Sequence, residues 1–183
     1  NKSAEVVKMV TSLSDFFRTT LSKGHDYITV KEERTHIESY LEIQQFRYQD
    51  ILDYEIQMDE EIYGYIIPKL TLQPLVENAL YHGIKNKRGK GKILITGKKQ
   101  GDKIIFQVID NGKGMTEEEL NSLRKKMAGT DTGDEAKGFG VSNVNQRIKY
   151  YYGEEYGVFF ESKENEGTNA TIIIAAKNIQ LPS

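Results

Sequence analysis

Apolar residues in the first 50 positions recur at spacings of three and four, which is the pattern of amphipathic helices. The first predicted helix covers residues 4–21 and ends near Gly24, where a turn begins. The second covers residues 31–48, and its apolar stripe consists of Ile37, Tyr40, Leu41 and Ile43. Both faces of this second helix carry enough polar residues that we expect it to pack against another element without deep burial.

The later part of the chain predicts strands mixed with three helices. Pro74 fits the first turn of a helix over residues 74–82 that Gly83 closes, and Thr116 is a good N-cap for a helix over residues 116–127. A third helix covers residues 141–152. The predicted strands are 52–58, 92–98, 103–110, 158–161 and 168–175.

These elements predict an α+β fold. We expect a two-layer α/β sandwich with a mixed, largely antiparallel sheet, because the strands at 92–98 and 103–110 form a hairpin. The change of pattern near residue 50 divides the chain into helical residues 1–50 and mixed residues 51–183.

Composition narrows the function classes. The chain has 183 residues, 25 basic and 27 acidic side chains and a net charge of -2, so no single-sign field favours nucleic acid or an anionic membrane. It has no cysteine, which rules out disulfides and thiolate metal sites. No apolar run approaches the ~20 residues of a membrane span. Because the chain begins with Asn1, we expect it to be part of a longer protein.

Three short motifs in the second half carry candidate chemistry. In QPLVENALYHG, residues 73–83, Asn78 and His82 lie four apart on one helix face, and an amide oxygen suits Mg²⁺. In DNGKG, residues 110–114, a strand ends in a carboxylate that can accept a hydrogen bond from an exocyclic amine. GFGVSN, residues 138–143, opens a helix whose N-terminal N–H groups suit an anion.

Each motif has an ordinary structural explanation when taken alone. Asn78 and His82 could satisfy each other on a buried helix, DNGKG could be a common turn, and GFGVSN lacks the spacing of a phosphate loop or a dinucleotide fingerprint. Their order is more specific, and it continues into EGT, residues 166–168, before the last strand. The order resembles the ATP-binding fold shared by histidine kinases, type II topoisomerases, a heat-shock chaperone and mismatch-repair ATPases.

The upstream segments sharpen this resemblance. SLSDFFRTTL and VKEERTHIESYLEIQQFRY, residues 12–21 and 30–48, are similar to helices of the sensor histidine kinases related to the autolysin-regulating sensors. This resemblance implies an ATP- and Mg²⁺-dependent protein-histidine kinase of a two-component system. It further implies a response regulator as partner, a homodimer in the full-length protein, no nucleic acid, and a cytoplasmic location as part of a membrane-bound sensor.

The resemblance also assigns roles to individual residues. Asn78 corresponds to the Mg²⁺-binding asparagine, and His82 to a phosphate-side position; both are expected to serve catalysis. Asp110 corresponds to the adenine-reading aspartate, and Thr168 to a residue that supports the adenine pocket. The glycines correspond to those beneath the base and beside the phosphates, respectively Gly112 and Gly114, and Gly138 and Gly140. Residues 115–137 correspond to the ATP lid.

The phosphoacceptor motif of that branch, Pro-His-Phe followed by Leu, Phe or Tyr, and Asn, does not occur in this sequence. We therefore expect the acceptor histidine to lie upstream, and expect His25 and His36 to be solvated or partly packed imidazoles. Two alternatives remain at this level: another ATPase of the same fold, and a catalytically degenerate module that binds nucleotide or a protein partner.

Overall fold

The computed structural model describes residues 2–21, 26–49, 51–85, 87, 89–129 and 139–178. Two long helices come first, α1 (Lys2–Thr20) and α2 (Val30–Arg47), separated by the short strand β1 (Tyr27–Thr29). The predicted helices at 4–21 and 31–48 are thereby confirmed within one or two residues. Gly24 and His25 lie outside the described residues.

A reciprocal pair of hydrogen bonds fixes the start of α2. The Thr29 hydroxyl accepts from the backbone N–H of Glu32, and the Glu32 carboxylate accepts from the backbone N–H of Thr29. This capping box satisfies two N–H groups that a helix start leaves without partners.

The main sheet contains five strands in the order β2-β4-β5-β7-β6. Their bounds are β2 (Leu52–Met58), β4 (Gly91–Gln100), β5 (Lys103–Asp110), β6 (Gly157–Lys163) and β7 (Gly167–Ala175). Strands β2 and β4 pair in parallel, and the other neighbours pair antiparallel. The predicted mixed, largely antiparallel sheet is confirmed.

One face of this sheet carries the helices. Helix α3 (Gln73–Asn78) continues into a π-helical turn (Ala79–Ile84), and α4 (Glu117–Met127) and α5 (Phe139–Tyr152) follow later in the chain. The core between the two layers includes Ile93, Ile95, Phe106, Val108 and Ile172, each almost completely buried. The two-layer α/β sandwich is therefore confirmed.

Two features of this layout differ from the prediction. Strand β3 (Ile66–Pro68) pairs antiparallel with β1, a small sheet that the sequence did not indicate. Helix α2 is not peripheral, because Ile37 and Leu41 are fully buried and belong to the same core as the main sheet. The expectation of shallow packing failed because the face of α2 that contacts the rest of the chain also buries polar residues, Glu33 and His36.

Gly83 does not end its helix. The helical turn continues through Ile84, with Gly83 buried inside it. A β-carbon on Gly83 would lie 2.5 Å from the Asp110 carboxylate, so the glycine lets the helix pass close to the end of β5. The residue therefore serves tertiary packing rather than helix termination.

Candidate functional site

A cleft of about 420 Å³ lies between the π-helical turn, the ends of β5 and β7, and α4. This volume is within the usual range of small-molecule sites, about 300–1,000 Å³. Its polar lining contains five residues singled out from the sequence: Asn78, His82, Asp110, Gly114 and Thr168. The structure therefore gathers residues of the QPLVENALYHG, DNGKG and EGT segments around one cavity.

Asp110 is the most constrained polar group in this cleft. It is 5% exposed, its Oδ1 atom accepts the backbone N–H of Gly112 at 2.8 Å, and the backbone N–H of Thr168 donates to the same carboxylate. Burial raises the pKa of Asp110 to about 6, while the hydrogen bonds from Gly112 and Thr168 and the positive charge of Lys87 act in the opposite direction. The buried Asp110 carboxylate thus lines the cavity and retains lone pairs that can accept further hydrogen bonds.

The glycines of the second motif allow close approach between segments of the chain itself. Gly112 is buried next to Asp110, and a β-carbon there would lie 2.4 Å from the backbone of Gly83. Gly114 has a left-handed φ of 64°, and a β-carbon there would lie 1.9 Å from the carbonyl oxygen of Lys163. These contacts explain both glycines without a ligand. Gly114 lines the cleft, whereas Gly112, predicted to lie beneath the base, is not part of its lining.

Asn78 and His82 line the cleft from the helical segment that contacts β5 and β7. Asn78 is the last residue of α3, and His82 lies in the π-helical turn that follows. Such turns add a residue to the helix and occur frequently at functional sites. Glu77 accepts a hydrogen bond from Gln73 at 2.8 Å and is not part of the cleft lining.

Thr168 belongs to a hydrogen-bonded group that joins β6, β7 and the start of the lid segment. Its hydroxyl lies 2.8 Å from the Ser162 hydroxyl, which donates to the carbonyl of Gly167 at 2.9 Å. The Ser162 oxygen also accepts the backbone N–H of Met115 at 2.9 Å. Ser162 therefore fixes both Thr168 and the first residue after the DNGKG motif.

The third motif is only partly described. Gly138 lies outside the described residues, as do residues 130–137 of the expected lid. Gly140 is exposed in the first turn of α5, where a β-carbon would lie 3.2 Å from the side chain of Pro74. Gly140 does not line the cleft in the described part of the chain, but it places the start of α5 against the start of α3.

The apolar lining was not anticipated from the sequence. It consists of Leu75, Ala79, Val108, Met115, Leu123, Phe160 and Ala170. The period of two along a strand could have identified Val108 and Ala170, since they share a sheet face with Asp110 and Thr168. Phe160 could not be found in this way, because it reaches the cleft through its pairing with Ala170 across β6 and β7.

The structure also reports on metal and membrane features. Among the described residues, no group of three His, Asp or Glu side chains is placed to hold a metal ion. None of the helices in the described ranges is both long and apolar enough to cross a bilayer.

Comparison with known families assigns this fold. Residues 68–178, which include the whole cleft, match the family described as histidine kinase-, DNA gyrase B-, and HSP90-like ATPase. The chain belongs to this ATPase family. Residues 1–52 match a second family, described as histidine kinase, so the resemblance of the N-terminal helices to sensor kinases is confirmed as well.

Several similar curated proteins are named as sensor kinases. The chain is 34% identical over 178 residues to the sensor histidine kinase YesM of Bacillus subtilis, covering 97% of this chain and 29% of that protein. It is 29% identical over 179 residues to the sensor protein LytS of Staphylococcus saprophyticus, covering 97% of this chain and 30% of that protein. The chain thus spans about 30% of the length of these relatives.

Solved structures support the fold. The nucleotide-free catalytic domain of histidine kinase ThkA superposes with a TM-score of 0.61 at 19% identity, covering 84% of this chain and 97% of that one. The histidine kinase domain of the blue-light-activated kinase EL346 from Erythrobacter litoralis gives a TM-score of 0.57 at 15% identity, covering 93% and 74% of the two chains.

Proposed function

We propose that this chain is the ATP-binding catalytic portion of a sensor histidine kinase and that its cleft binds ATP with Mg²⁺. The observation that carries the proposal is the placement of the buried Asp110 carboxylate in the same cleft as Asn78 and His82. An adenine amine is a hydrogen-bond donor that a buried carboxylate can read, and the apolar lining suits a flat base.

The residues that line the cleft suit a metal ion bound together with the nucleotide phosphates better than a metal ion held by the protein alone. Asn78 supplies an oxygen ligand, and the described residues offer no cluster of three acidic or imidazole ligands. Mg²⁺ is commonly held by few protein oxygens together with substrate phosphates and water. Asn78 would therefore hold the ion through the bound triphosphate, and His82 would lie on the phosphate side.

The reaction is transfer of the γ-phosphoryl group to an imidazole nitrogen. The P–N bond forms while the bond from the γ-phosphorus to the oxygen of ADP breaks, and one proton is released. The protein contributes positioning and charge neutralisation. We propose that the acceptor lies upstream, in a homodimer whose response regulator then receives the phosphoryl group.

His36 is unsuited to accept the phosphoryl group. Its ring is fully buried, stacked on Phe16 at 4.8 Å between centroids, and its Nε2 atom lies 2.5 Å from the Gln73 side-chain oxygen. The expectation that His36 is a solvated or partly packed imidazole was wrong. His36 is instead a buried structural residue, which supports an acceptor elsewhere.

The apolar face of α1 supports the dimer. Val6, Val10 and Phe17 are all more than half exposed along this helix. Exposed apolar stripes of this kind indicate an association surface. A second copy of the same helix pair would cover it, as the resemblance to the dimeric kinases implies.

The test is a calorimetric titration of the chain with a non-hydrolysable ATP analogue, with and without Mg²⁺. Asn78→Ala should lose the Mg²⁺-dependent part of the affinity, whereas Asn169→Ala, on the opposite sheet face, should bind like the unaltered chain. With labelled ATP, a chain extended upstream through its acceptor histidine should form acid-labile, base-stable phosphate. No nucleotide binding by the unaltered chain would refute the proposal.

A further inference from the structure

A buried carboxylate outside the cleft connects α2 to the helix that carries Asn78. Glu33 is fully buried, and its two oxygens accept the backbone N–H groups of Leu70 and Leu72 at 3.1 and 2.7 Å. Burial raises the pKa of Glu33 to about 7, while the hydrogen bonds from residues 70–72 and the positive charge of Arg147 act in the opposite direction. The unfavourable burial of the Glu33 carboxylate is thus opposed by hydrogen bonds from the backbone of one loop, residues 70–72.

That loop is strained and determines where α3 begins. Leu70 has a left-handed φ of 58°, which a residue with a branched side chain rarely adopts. Leu72 precedes the first residue of α3 and has no side-chain cap of its own. Glu33 therefore supplies, from another helix, the acceptor for the N-cap N–H that a glutamate at the third helical position provides in a capping box, a position that Leu75 occupies here.

Helix α5 contacts the same residue of this loop from another side. The Arg147 guanidinium donates to the carbonyl oxygen of Leu70 at 3.2 Å, so both backbone polar groups of Leu70 are engaged by side chains from different helices. At its first turn, α5 approaches α3 where Gly140 faces Pro74. The loop thus joins α2 to α3, which carries Asn78, and to α5, which packs against the start of α3.

A second connection runs from α1 through α2 to the same helix. Phe16 of α1 stacks on His36, His36 lies 2.5 Å from the Gln73 oxygen, and the Gln73 amide donates to Glu77 at 2.8 Å. Glu77 immediately precedes Asn78. A displacement of the upstream helices would therefore reach the first turn of α3 through two independent polar contacts.

We propose that Glu33 is a positioning residue for the metal and phosphate end of the cleft, through which α1 and α2 set the placement of Asn78. Asp110 lies on β5 and has no contact with Glu33 among the described hydrogen bonds. Loss of Glu33 should therefore affect binding that depends on Mg²⁺ and phosphate more than binding of the base. The inference rests on the proposed function of the cleft.

The experiment compares Glu33→Gln with Glu38→Gln, a control on the same helix whose carboxylate pairs with Arg34 near the surface. An amide of equal size accepts one N–H of the loop but presents its NH₂ group to the other. Calorimetry measures the affinity for a Mg²⁺-bound ATP analogue and, separately, for Mg²⁺-free ADP. Circular dichroism verifies that each variant folds.

We expect Glu33→Gln to bind the Mg²⁺-bound analogue about 5- to 150-fold more weakly, the usual range of coupling between distant sites, with Mg²⁺-free ADP affinity changed less than about twofold. Glu38→Gln should match the unaltered chain in both. Equal losses for both ligands, or no loss, would overturn the positioning role while leaving the nucleotide site intact.

Two further outcomes are distinguishable. If the unaltered chain binds neither ligand, the proposed function fails and this inference with it. If Glu33→Gln does not fold, Glu33→Asp, whose shorter carboxylate cannot keep both loop N–H groups, decides for Glu33, and His36→Phe tests the second connection by the same criterion. It keeps the ring stacked on Phe16 but removes the hydrogen bond to Gln73. Selective loss of Mg²⁺-dependent affinity supports the connection, and unchanged affinity refutes it.

Discussion

Replacing Asp110 with asparagine tests how the cleft recognises a base. The change keeps the shape of the side chain and removes its negative charge from a position that is 5% exposed. A hydrogen bond to a charged acceptor contributes about 1.5–3 kcal/mol. At about 1.4 kcal/mol per tenfold in affinity, Asp110→Asn should bind adenine nucleotides about 10- to 150-fold more weakly.

The same structure predicts that the variant folds. The difference between a pKa of about 6 and the ordinary 3.8 means that folding costs about 3 kcal/mol to keep Asp110 charged near neutral pH. The amide avoids this cost, although its NH₂ group cannot accept the N–H of Thr168, a loss of about 1–3 kcal/mol. The two effects oppose each other, so the net change in the free energy of unfolding should be small.

Calorimetry with ADP at pH 7.5 and pH 5 is the appropriate assay. The unaltered chain should lose affinity as the pH falls through about 6, because the protonated acid no longer accepts from the amine with full strength. Asp110→Asn should show no such loss. Asp102→Asn, an identical change in the exposed turn before β5, is the matched control.

Two results would contradict this reasoning. Unchanged ADP affinity in folded Asp110→Asn would show that the carboxylate does not contact the base. The same loss in Asp102→Asn would show that net charge, and not the hydrogen bond at Asp110, governs affinity.

Two other expectations concern Gly83, which lines the cleft, and Glu33, which is buried beneath the loop before α3. Gly83→Ala should weaken nucleotide binding at least about tenfold and destabilise the fold by about 1–3 kcal/mol, because its β-carbon would lie 2.5 Å from Asp110. Gly64→Ala, which has open space around it, should change neither the affinity nor the stability. Calorimetry measures the affinity, and urea unfolding measures the stability. The pKa of Glu33 in the folded chain lies above its ordinary 4.5, so its contribution to stability is present below pH 4.5 and is lost as the pH rises through about 7. The free energy of unfolding of Glu33→Gln, relative to the unaltered chain, should therefore rise by about 3 kcal/mol between pH 4 and pH 8. A difference that does not change with pH would contradict the burial argument.

Local sequence signals sufficed wherever a short-range interaction decides the outcome. Thr116 and Glu119 form the capping box that the N-cap prediction implied, and α4 begins at the next residue. The capping box of Thr29 and Glu32 was equally readable from the sequence, although the helix was predicted to begin one residue late. Strands β2 and β5 likewise have their predicted bounds, since alternation and turn residues define them locally.

The sequence by itself determined which short motifs are present and on which helix or turn each lies, because those local structures depend on neighbours a few residues away. Only the tertiary structure decided that Gly83 and Gly112 pack against each other beside Asp110. It also decided that Glu33 is buried under the Leu70 loop rather than exposed on a charged helix. These contacts join residues 27 to 39 positions apart, and such contacts leave no periodic pattern in the sequence. The physical reason is that burial of a polar side chain depends on which distant hydrogen-bond donors the fold supplies.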